Sequence, residues 1–365
     1  AEVRALADTF TEVRVAPLRP TGEVVGRIPE GVRIDYSLSS WLAGEVPSRG
    51  RRYARAIQSV VRGGDEVGLG VSNWRELKSG IRSYSWTRTS LMSRADLISV
   101  MLWARRSPRP SLAYTFWLGP ATIGLRKAWP TTPIVSRAHG GDLYPEQHGW
   151  ATIPFQAEAV GSVDLLAAIS QDGHDYLATK YAENASSIEL HRLGFDDIGG
   201  LAPRSNPGPV RILSVSTIDH NKRVYRIAQA AIKLARSGVS VHWTHLGDGH
   251  ARGALEDLLQ SRPKRLTVDL RGLVRHEEVV HEMLNGNHSV FINLSLSEGA
   301  PVSVMEAQCV GLPVVATRVG GTPEVAPAQW NQLLDVDANL STIVNAIQVA
   351  AQSPRPFAEA RRSHW

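Results

Sequence analysis

A chain of 365 residues, 43% hydrophobic and 21% charged, has length for two buried cores and the composition of an ordered globular protein, not of a disordered or low-complexity one. Its one cysteine, Cys309, excludes an internal disulfide framework and fits a reducing compartment. No apolar run reaches bilayer length and no charged-then-apolar leader opens the sequence, so a cytoplasmic protein is expected.

In chain order, Val3, Leu6, Ala7 and Phe10 fall at helical spacing at the very start. The FAEARRSHW stretch at the other end is also helix-like, so both termini are expected to be trimmed and a first strand with its glycine loop to be missing. Apolar runs at 13–18, 113–118, 133–138 and 163–170 read as strands. Residues 97–106 and the segment after Ser170, a good N-cap, read as helices. Between Arg51 and Arg137 lie fifteen basic residues against four acids, interleaved with Trp74, Trp86, Trp103, Trp117 and Trp129. Such a stretch suits an anionic membrane surface or a phosphate-bearing partner, and equally a solvated basic face with its aromatics in the core.

The Gly- and Pro-rich segment 199–209 reads as a linker. Beyond it strands at 210–216, 239–247, 265–272, 289–295 and 312–317 alternate with helices at 223–238, 251–261, 276–284 and 301–310. Apolar strands alternating with amphipathic helices indicate a parallel sheet covered on both faces. Two such halves, 1–200 and 201–365, give a two-domain α/β protein.

The strongest chemical signal is SEGAPVSVMEAQCVGLPVVATRVGGTPE, residues 297–324. Gly299, Ala300 and Pro301 let the chain turn from a strand into a helix, whose first N–H groups and dipole suit phosphate oxygens. Glu306 lies about two helical turns beyond Glu298, and a carboxylate there suits ribose hydroxyls. On spacing alone, the same residues fit an ordinary strand–loop–helix with two solvated glutamates. Lys222, in a short loop after strand 210–216, stands at the sheet edge where ligands of open α/β sheets bind. By itself it reads equally as a solvated lysine at a helix start. His139 follows strand 133–138 and precedes two glycines, and alone reads as a structural histidine.

Residues 297–324 resemble the donor-site motif of family-4 retaining glycosyltransferases, commonly written E-x7-E. The resemblance extends to SVSTIDHNKRV (214–224), LGDGHARGALEDLL (246–259) and LRGLVRHEEV (270–279). It reaches, more loosely, SRAHGGDLYPE (136–146), VDLLAAISQDGHDYL (163–177), LHRLGF (190–195) and ADTFTEVRVAPLRP (7–20), which look like bacterial exopolysaccharide- and lipopolysaccharide-assembly members. It implies the GT-B fold, two Rossmann-like domains facing a cleft, with the acceptor on 1–200 and the donor on 201–365. It further implies retaining transfer of a hexosyl group from a UDP- or GDP-linked sugar to a glycan or lipid-linked glycan, without cofactor, metal or nucleic acid. The enzyme would be cytoplasmic, or peripheral on the inner membrane face through 51–137.

Residue by residue, the resemblance puts Glu298 against the transferred sugar and the backbone of Gly299 and Ala300 against the diphosphate. Pro301 and Val302 open the helix there. Glu306 would take the ribose, and Lys222 would neutralise the leaving diphosphate. Ser216, Thr217 and Gly247 would line the donor site, with Leu273 and Val274 flanking the base. His139 would stand beside the reaction centre, with Arg137 and Asp142 as neighbours of open role; Asp142 also suits a cap of the next helix. Thr217 stands where the wider family usually has Arg, and Arg223 is expected to compensate. Two other readings stay open: a non-catalytic partner subunit of the same fold, and a GT-B sugar-nucleotide epimerase. His242 and His245, three apart on a strand, point to opposite faces and cannot share a metal. Cys309 reads as a core residue.

Overall fold

The computed structural model describes residues 2–18, 28–39, 84–148, 150, 152–194, 197–203, 208–353 and 355–363. The chain splits into two compact units, one comprising 1–169 and 173–196, the other 170–172 and 197–365. The basic residues 51–82 and Trp74 lie outside the described residues.

The first unit holds helix α1 (Glu2–Thr9) and a parallel two-stranded pair, β1 (Val13–Val15) and β2 (Val32–Ile34), the second of which the sequence reading did not anticipate. Helix α2 (Tyr84–Arg105) is far longer than the expected 97–106, because its 22 residues hold neither Gly nor Pro. Leu97, Val100, Met101 and Ala104, at helical spacing, form its buried stripe. Helix α3 (Pro120–Ala128) starts with Pro at its first position. Its Gly124 packs so closely on α2 that an added Cβ would lie 2.6 Å from the Leu97 carbonyl oxygen.

Four parallel strands then run in the order β3 (Ala113–Thr115), β4 (Ile134–Ala138), β5 (Leu165–Ala168), β6 (Ile188–Leu190). The strand expected over 113–118 stops at Thr115, where the chain bends and leaves Phe116 and Trp117 exposed. The short helices α4 (Gly140–Leu143) and α5 (Gln156–Val160) and the helix α6 (Gln171–Lys180) complete this part of the chain. Of the basic residues read as a membrane-facing surface, Arg126 binds Asp164 at 2.5 Å and Arg137 donates to the His191 carbonyl at 2.7 Å. Trp129 is buried.

In the second unit the alternation read from sequence is realised as β7 (Val210–Val215), α7 (Val224–Arg236), β8 (Val241–Leu246), α8 (Arg252–Leu259), β9 (Leu266–Leu270), α9 (His276–Asn285), β10 (Val290–Asn293), α10 (Val302–Cys309) and β11 (Val314–Thr317). Helix α11 (Thr322–Val325), β12 (Gln332–Leu334), α12 (Leu340–Ala351) and α13 (Arg355–Ser363) follow. All six strands are parallel, in the order β12-β11-β10-β7-β8-β9. This is the dinucleotide-fold order, in which the chain builds outward from β7 to β9 and then returns to the other side of β7 for β10.

Ile212, Ile227, Ala231, Trp243, Ile292, Val315 and Ile347 centre the core beneath. The buried Trp243 indole donates to Ser214 Oγ at 2.9 Å, so its polar edge is satisfied. Cys309 is buried, as read, and burial lifts its thiol pKa. The segment expected as a linker packs on this unit: Asp197 pairs with Arg362 at 2.9 Å, and the Ala202 N–H donates to the Val310 carbonyl at 2.9 Å. Residues 204–207 of that segment lie outside the described residues. Among the described residues no helix is long and apolar enough to cross a membrane.

Candidate active site

Where strand order reverses, two neighbouring parallel strands send their chains in opposite directions across the sheet, and a crevice opens outside their carboxyl ends. Here that point lies between β7 and β10. Lys222 is in the loop after β7 and Glu298 in the loop after β10, and Lys222 Nζ meets Glu298 Oε1 at 2.7 Å. Both side chains are largely withdrawn from water, at 25% and 8% exposure, so the pair is screened less than a surface ion pair.

The loop carrying Lys222 is fixed from both sides. Asp219 accepts from the Lys222 N–H at 2.8 Å and from Thr217 Oγ1 at 2.6 Å, closing the turn. Asn221 clasps the opposite loop: its Nδ2 donates to the Ser297 carbonyl and its Oδ1 accepts from the Ser297 N–H, each at 3.1 Å. Its own carbonyl accepts from the Leu296 N–H at 2.8 Å.

Arg223 departs from expectation. The sequence reading gave it to the donor as a replacement cation. Instead it is 5% exposed, with φ 47, and its guanidinium donates to the carbonyls of Leu294 (2.6 Å) and Val336 (2.7 Å), with Ser295 more distant at 3.5 Å. A guanidinium committed to three carbonyls is a clamp across the ends of β7, β10 and β12, not a free phosphate binder. The left-handed backbone, unfavourable for a residue with a Cβ, lets Arg223 turn in while Lys222 turns to Glu298.

Glu298 is held by more than Lys222. Its Oε1 also accepts from Ser295 Oγ at 2.7 Å and Asn293 Nδ2 at 3.1 Å, and Asn293 Oδ1 takes the Ser295 N–H at 3.0 Å. Three donors on one buried oxygen make a charge-assisted network. Neither Asn293 nor Ser295 was singled out from sequence. The glycine pair after β11 closes the loop from behind. A Cβ on Gly320 (φ +49) would lie 1.8 Å from the Glu298 carbonyl oxygen, and Gly321 donates to the Gly299 carbonyl at 3.0 Å. Only glycine admits that approach.

Past Gly299 and Ala300, Pro301 caps α10 in extended conformation, Val302 is exposed at its first turn, and Glu306 lies buried one turn further along. Glu306 Oε1 meets His276 Nε2 at 2.6 Å, a partner the sequence reading missed. Leu273 is 88% exposed and Val274 half-buried in the loop after β9. Ser216 and Gly247 join the neighbouring strand ends. A Cβ on Gly247 (φ +137) would lie 1.9 Å from the Ser216 carbonyl oxygen, the Ser216 N–H donates to Leu246, and the Gly247 N–H donates to Gly272. Thr217 is exposed.

In the first unit His139 ends β4. Its ring packs 4.4 Å from Trp117 and 4.7 Å from Phe116 between centroids. It is 8% exposed, and among the described residues neither ring nitrogen has a hydrogen-bond partner. Burial, with the nearby Arg137 charge, lowers its pKa to about 4. Asp142 does not cap α4 from outside but lies within it, three residues past the cap residue His139: its carboxyl oxygens accept from the His139 N–H at 2.5 Å and the Leu118 N–H at 2.8 Å. Burial nonetheless raises its pKa to about 8, against the pull of those donors. Arg137 donates to the Tyr114 hydroxyl at 3.2 Å, on top of its tie to His191. His242 and His245 go separate ways, the first beside Arg211 at 3.3 Å and the second bonded to buried Ser214 at 2.8 Å.

Residues 209–360 match the family described as "Glycosyl transferases group 1". Among curated proteins, the chain is 27% identical over 138 residues to the phosphatidylinositol N-acetylglucosaminyltransferase gpi3 subunit of Schizosaccharomyces pombe, covering 36% of this chain and 30% of that protein. It is 29% identical over 150 residues to the putative colanic acid biosynthesis glycosyltransferase WcaL of Escherichia coli K12, covering 39% and 36%. The matched stretch thus spans about a third of those relatives' length. Two solved structures share the fold over most of the chain at 16% identity. The lipopolysaccharide outer core galactosyltransferase WaaB does so with TM-score 0.56 over 77% of each chain. Anabaena Alr3699/HepE in complex with UDP and glucose does so with TM-score 0.57 over 74% of this chain and 76% of that one. The fold is GT-B, and residues 209–360 carry the similarity to the group 1 glycosyltransferases.

Proposed function

We propose that this protein transfers a hexosyl group from a nucleoside-diphosphate sugar to a glycan or lipid-linked glycan, with retention at the anomeric carbon. The observation that carries the reading is the Lys222–Glu298 pair at the β7/β10 switch point, 2.7 Å apart and beside the N-terminus of α10. An ammonium has three donors. One goes to Glu298, and the others suit the oxygens of a departing diphosphate, with the α10 N-terminus sharing the charge. Glu298, oriented by Ser295 and Asn293, would face the transferred sugar. Glu306 would exchange His276 for the ribose hydroxyls, and Leu273 would flank the base. His139, with its pKa lowered to about 4, is neutral at physiological pH and would stand beside the reacting sugar as a hydrogen-bonding group, not a cation. In this reading the diphosphate is met by the Lys222 ammonium and by neutral helix N–H donors, with no cofactor.

Because the HepE neighbour was solved with UDP and glucose, UDP leads the test. Calorimetry with UDP, GDP and ADP should give one diphosphate that binds with a well-defined stoichiometry. The matching donor sugar, given to the protein with a glycan acceptor panel, should yield a product of unchanged anomeric configuration by NMR. Failure of every diphosphate to bind would overturn the reading, and an inverted product would overturn retention. The acceptor's membrane setting rests on the basic stretch 51–137: liposome co-sedimentation should rise with anionic lipid and fall with salt, and equal binding to neutral vesicles would remove it.

A further inference from the structure

We propose that Phe116 and Trp117 form a stacking platform for a pyranose ring, that of the receiving glycan, at the carboxyl end of β3 and beside His139. This rests on the glycosyltransferase reading above. Along a strand, side chains alternate between faces, and β3 obeys this: Ala113 and Thr115 are buried and Tyr114 lies between. The alternation then fails. Phe116 and Trp117 are consecutive, both large and aromatic, and 47% and 54% exposed, before Leu118 returns to the core at 4%. Hydrophobic side chains this large, exposed side by side at the ligand-binding edge of a parallel sheet, mark a binding surface.

The pair is built, not loose. The two rings stand edge to face, 5.7 Å apart at 79°. Each also packs on the buried His139 ring. The indole lies over the backbone of Gly141, 3.9 Å from where a Cβ would be. Asp142 locks the arrangement, because one carboxylate holds both the Leu118 N–H, directly after the aromatic pair, and the His139 N–H.

The chemistry selects the occupant. The His139 nitrogens are themselves buried, so what an occupant meets is the exposed faces of Phe116 and Trp117. On the glycosyltransferase reading the receiving glycan brings the matching group, a sugar ring whose C–H face packs on an aromatic face while its rim of hydroxyls stays in water.

The test uses the intact protein and methyl pyranosides of glucose, galactose, mannose and N-acetylglucosamine as probes, read by saturation-transfer NMR, with nucleotide calorimetry in parallel. At least one glycoside should bind. Trp117→Ala should weaken it about tenfold, the loss of a ring-stacking contact, Phe116→Ala should weaken it less, and Trp117→Phe should keep most of it. Nucleotide diphosphate affinity should stay unchanged in all three. No glycoside binding to the unaltered protein, or binding unaffected by Phe116→Ala and Trp117→Ala, overturns the platform while leaving the transferase reading intact if the nucleotide still binds. Loss of nucleotide affinity in Trp117→Ala would assign the pair to the nucleobase and overturn the proposal. Glycoside binding with no nucleotide binding would retain the platform and remove the transferase reading. If Trp117→Ala does not fold, Phe116→Ala and Trp117→Phe decide by the same readout.

Discussion

The two units hold their candidate residues by different means. In the second, Lys222 and Glu298 are fixed by a lattice of hydrogen bonds: Asp219 and Asn221 on one side, Asn293 and Ser295 on the other, and Arg223 clamping three strand ends beneath. In the first, His139 is held by packing between two aromatic rings, with one carboxylate, Asp142, tying the backbone. The contrast follows from charge. A buried ion pair repays its desolvation only when hydrogen bonds satisfy what the pair leaves over. A neutral imidazole has less to satisfy and tolerates an apolar cage. The charged pair is therefore set in a lattice of hydrogen bonds, and the imidazole in an aromatic cage.

The sharpest way to break this comparison is Lys222→Ala. On the proposed function it removes the side-chain cation beside the leaving group, and should lower the transfer rate by about 10²–10³-fold, the cost typical of one transition-state donor, with the fold retained by circular dichroism. A rate within a fewfold of the unaltered protein would move the chemistry elsewhere.

Next comes Arg223. Arg223→Ala should cost about 1–3 kcal/mol of stability, the penalty for orphaning buried carbonyls, measured by denaturant unfolding. Arg223→Gly should cost less, since glycine is relaxed at φ 47. A stability-neutral Arg223→Ala with weakened donor binding would return Arg223 to the phosphate and undo the clamp.

Glu306→Ala should weaken nucleoside-diphosphate binding by about 1–3 kcal/mol, the range for a hydrogen bond to a charged group or its orphaned partner, checked by calorimetry. His276→Ala should weaken it less, or strengthen it, because it removes a competitor for the same carboxylate oxygen.

The smallest effect sets the units apart by pH. Asp142 has its folded pKa raised from 3.8 to about 8, so the folded state holds a proton the unfolded state has lost, and stability falls as pH rises between those values. His139, lowered from 6.5 to about 4, acts oppositely: the unfolded state takes up the proton first, so stability rises with pH from about 4 to 6.5. Between 6.5 and 8 only Asp142 of this pair titrates, and Asp142→Asn should flatten unfolding of the first unit there. The second unit's Glu282, held down to about 2 by its bond to His288, contributes stability that is fully present above pH 4.5 and lost as pH falls through 2. Equal pH profiles in the two units would contradict the assignment.

Much of the fold was legible because strand–helix alternation is written in period. The five apolar strands read between 210 and 317 correspond to β7 through β11. What escaped was short or featureless: β2, β6 and β12 have three residues each, too few to show a period, and the first turns of α2 carry Ser and Thr with no apolar stripe. In the site, Lys222, Glu298 and Glu306 stood out through motif and spacing. The residues that tie them did not, since Asn221 finds Ser297 across 76 positions, and His276 finds Glu306 across 30.

The sequence by itself determined that two α/β halves would form and that Lys222 and Glu298 would lie at the same sheet edge. Parallel strands with covered faces put every strand-to-helix loop on that edge. Only the tertiary structure decided that β10 returns beside β7, so that those two loops, of all that share the edge, touch. It also decided that Arg223 turns inward beneath them. Strand order and side-chain direction at a left-handed residue depend on which distant backbone carbonyls need a donor, and no local pattern of residues encodes that.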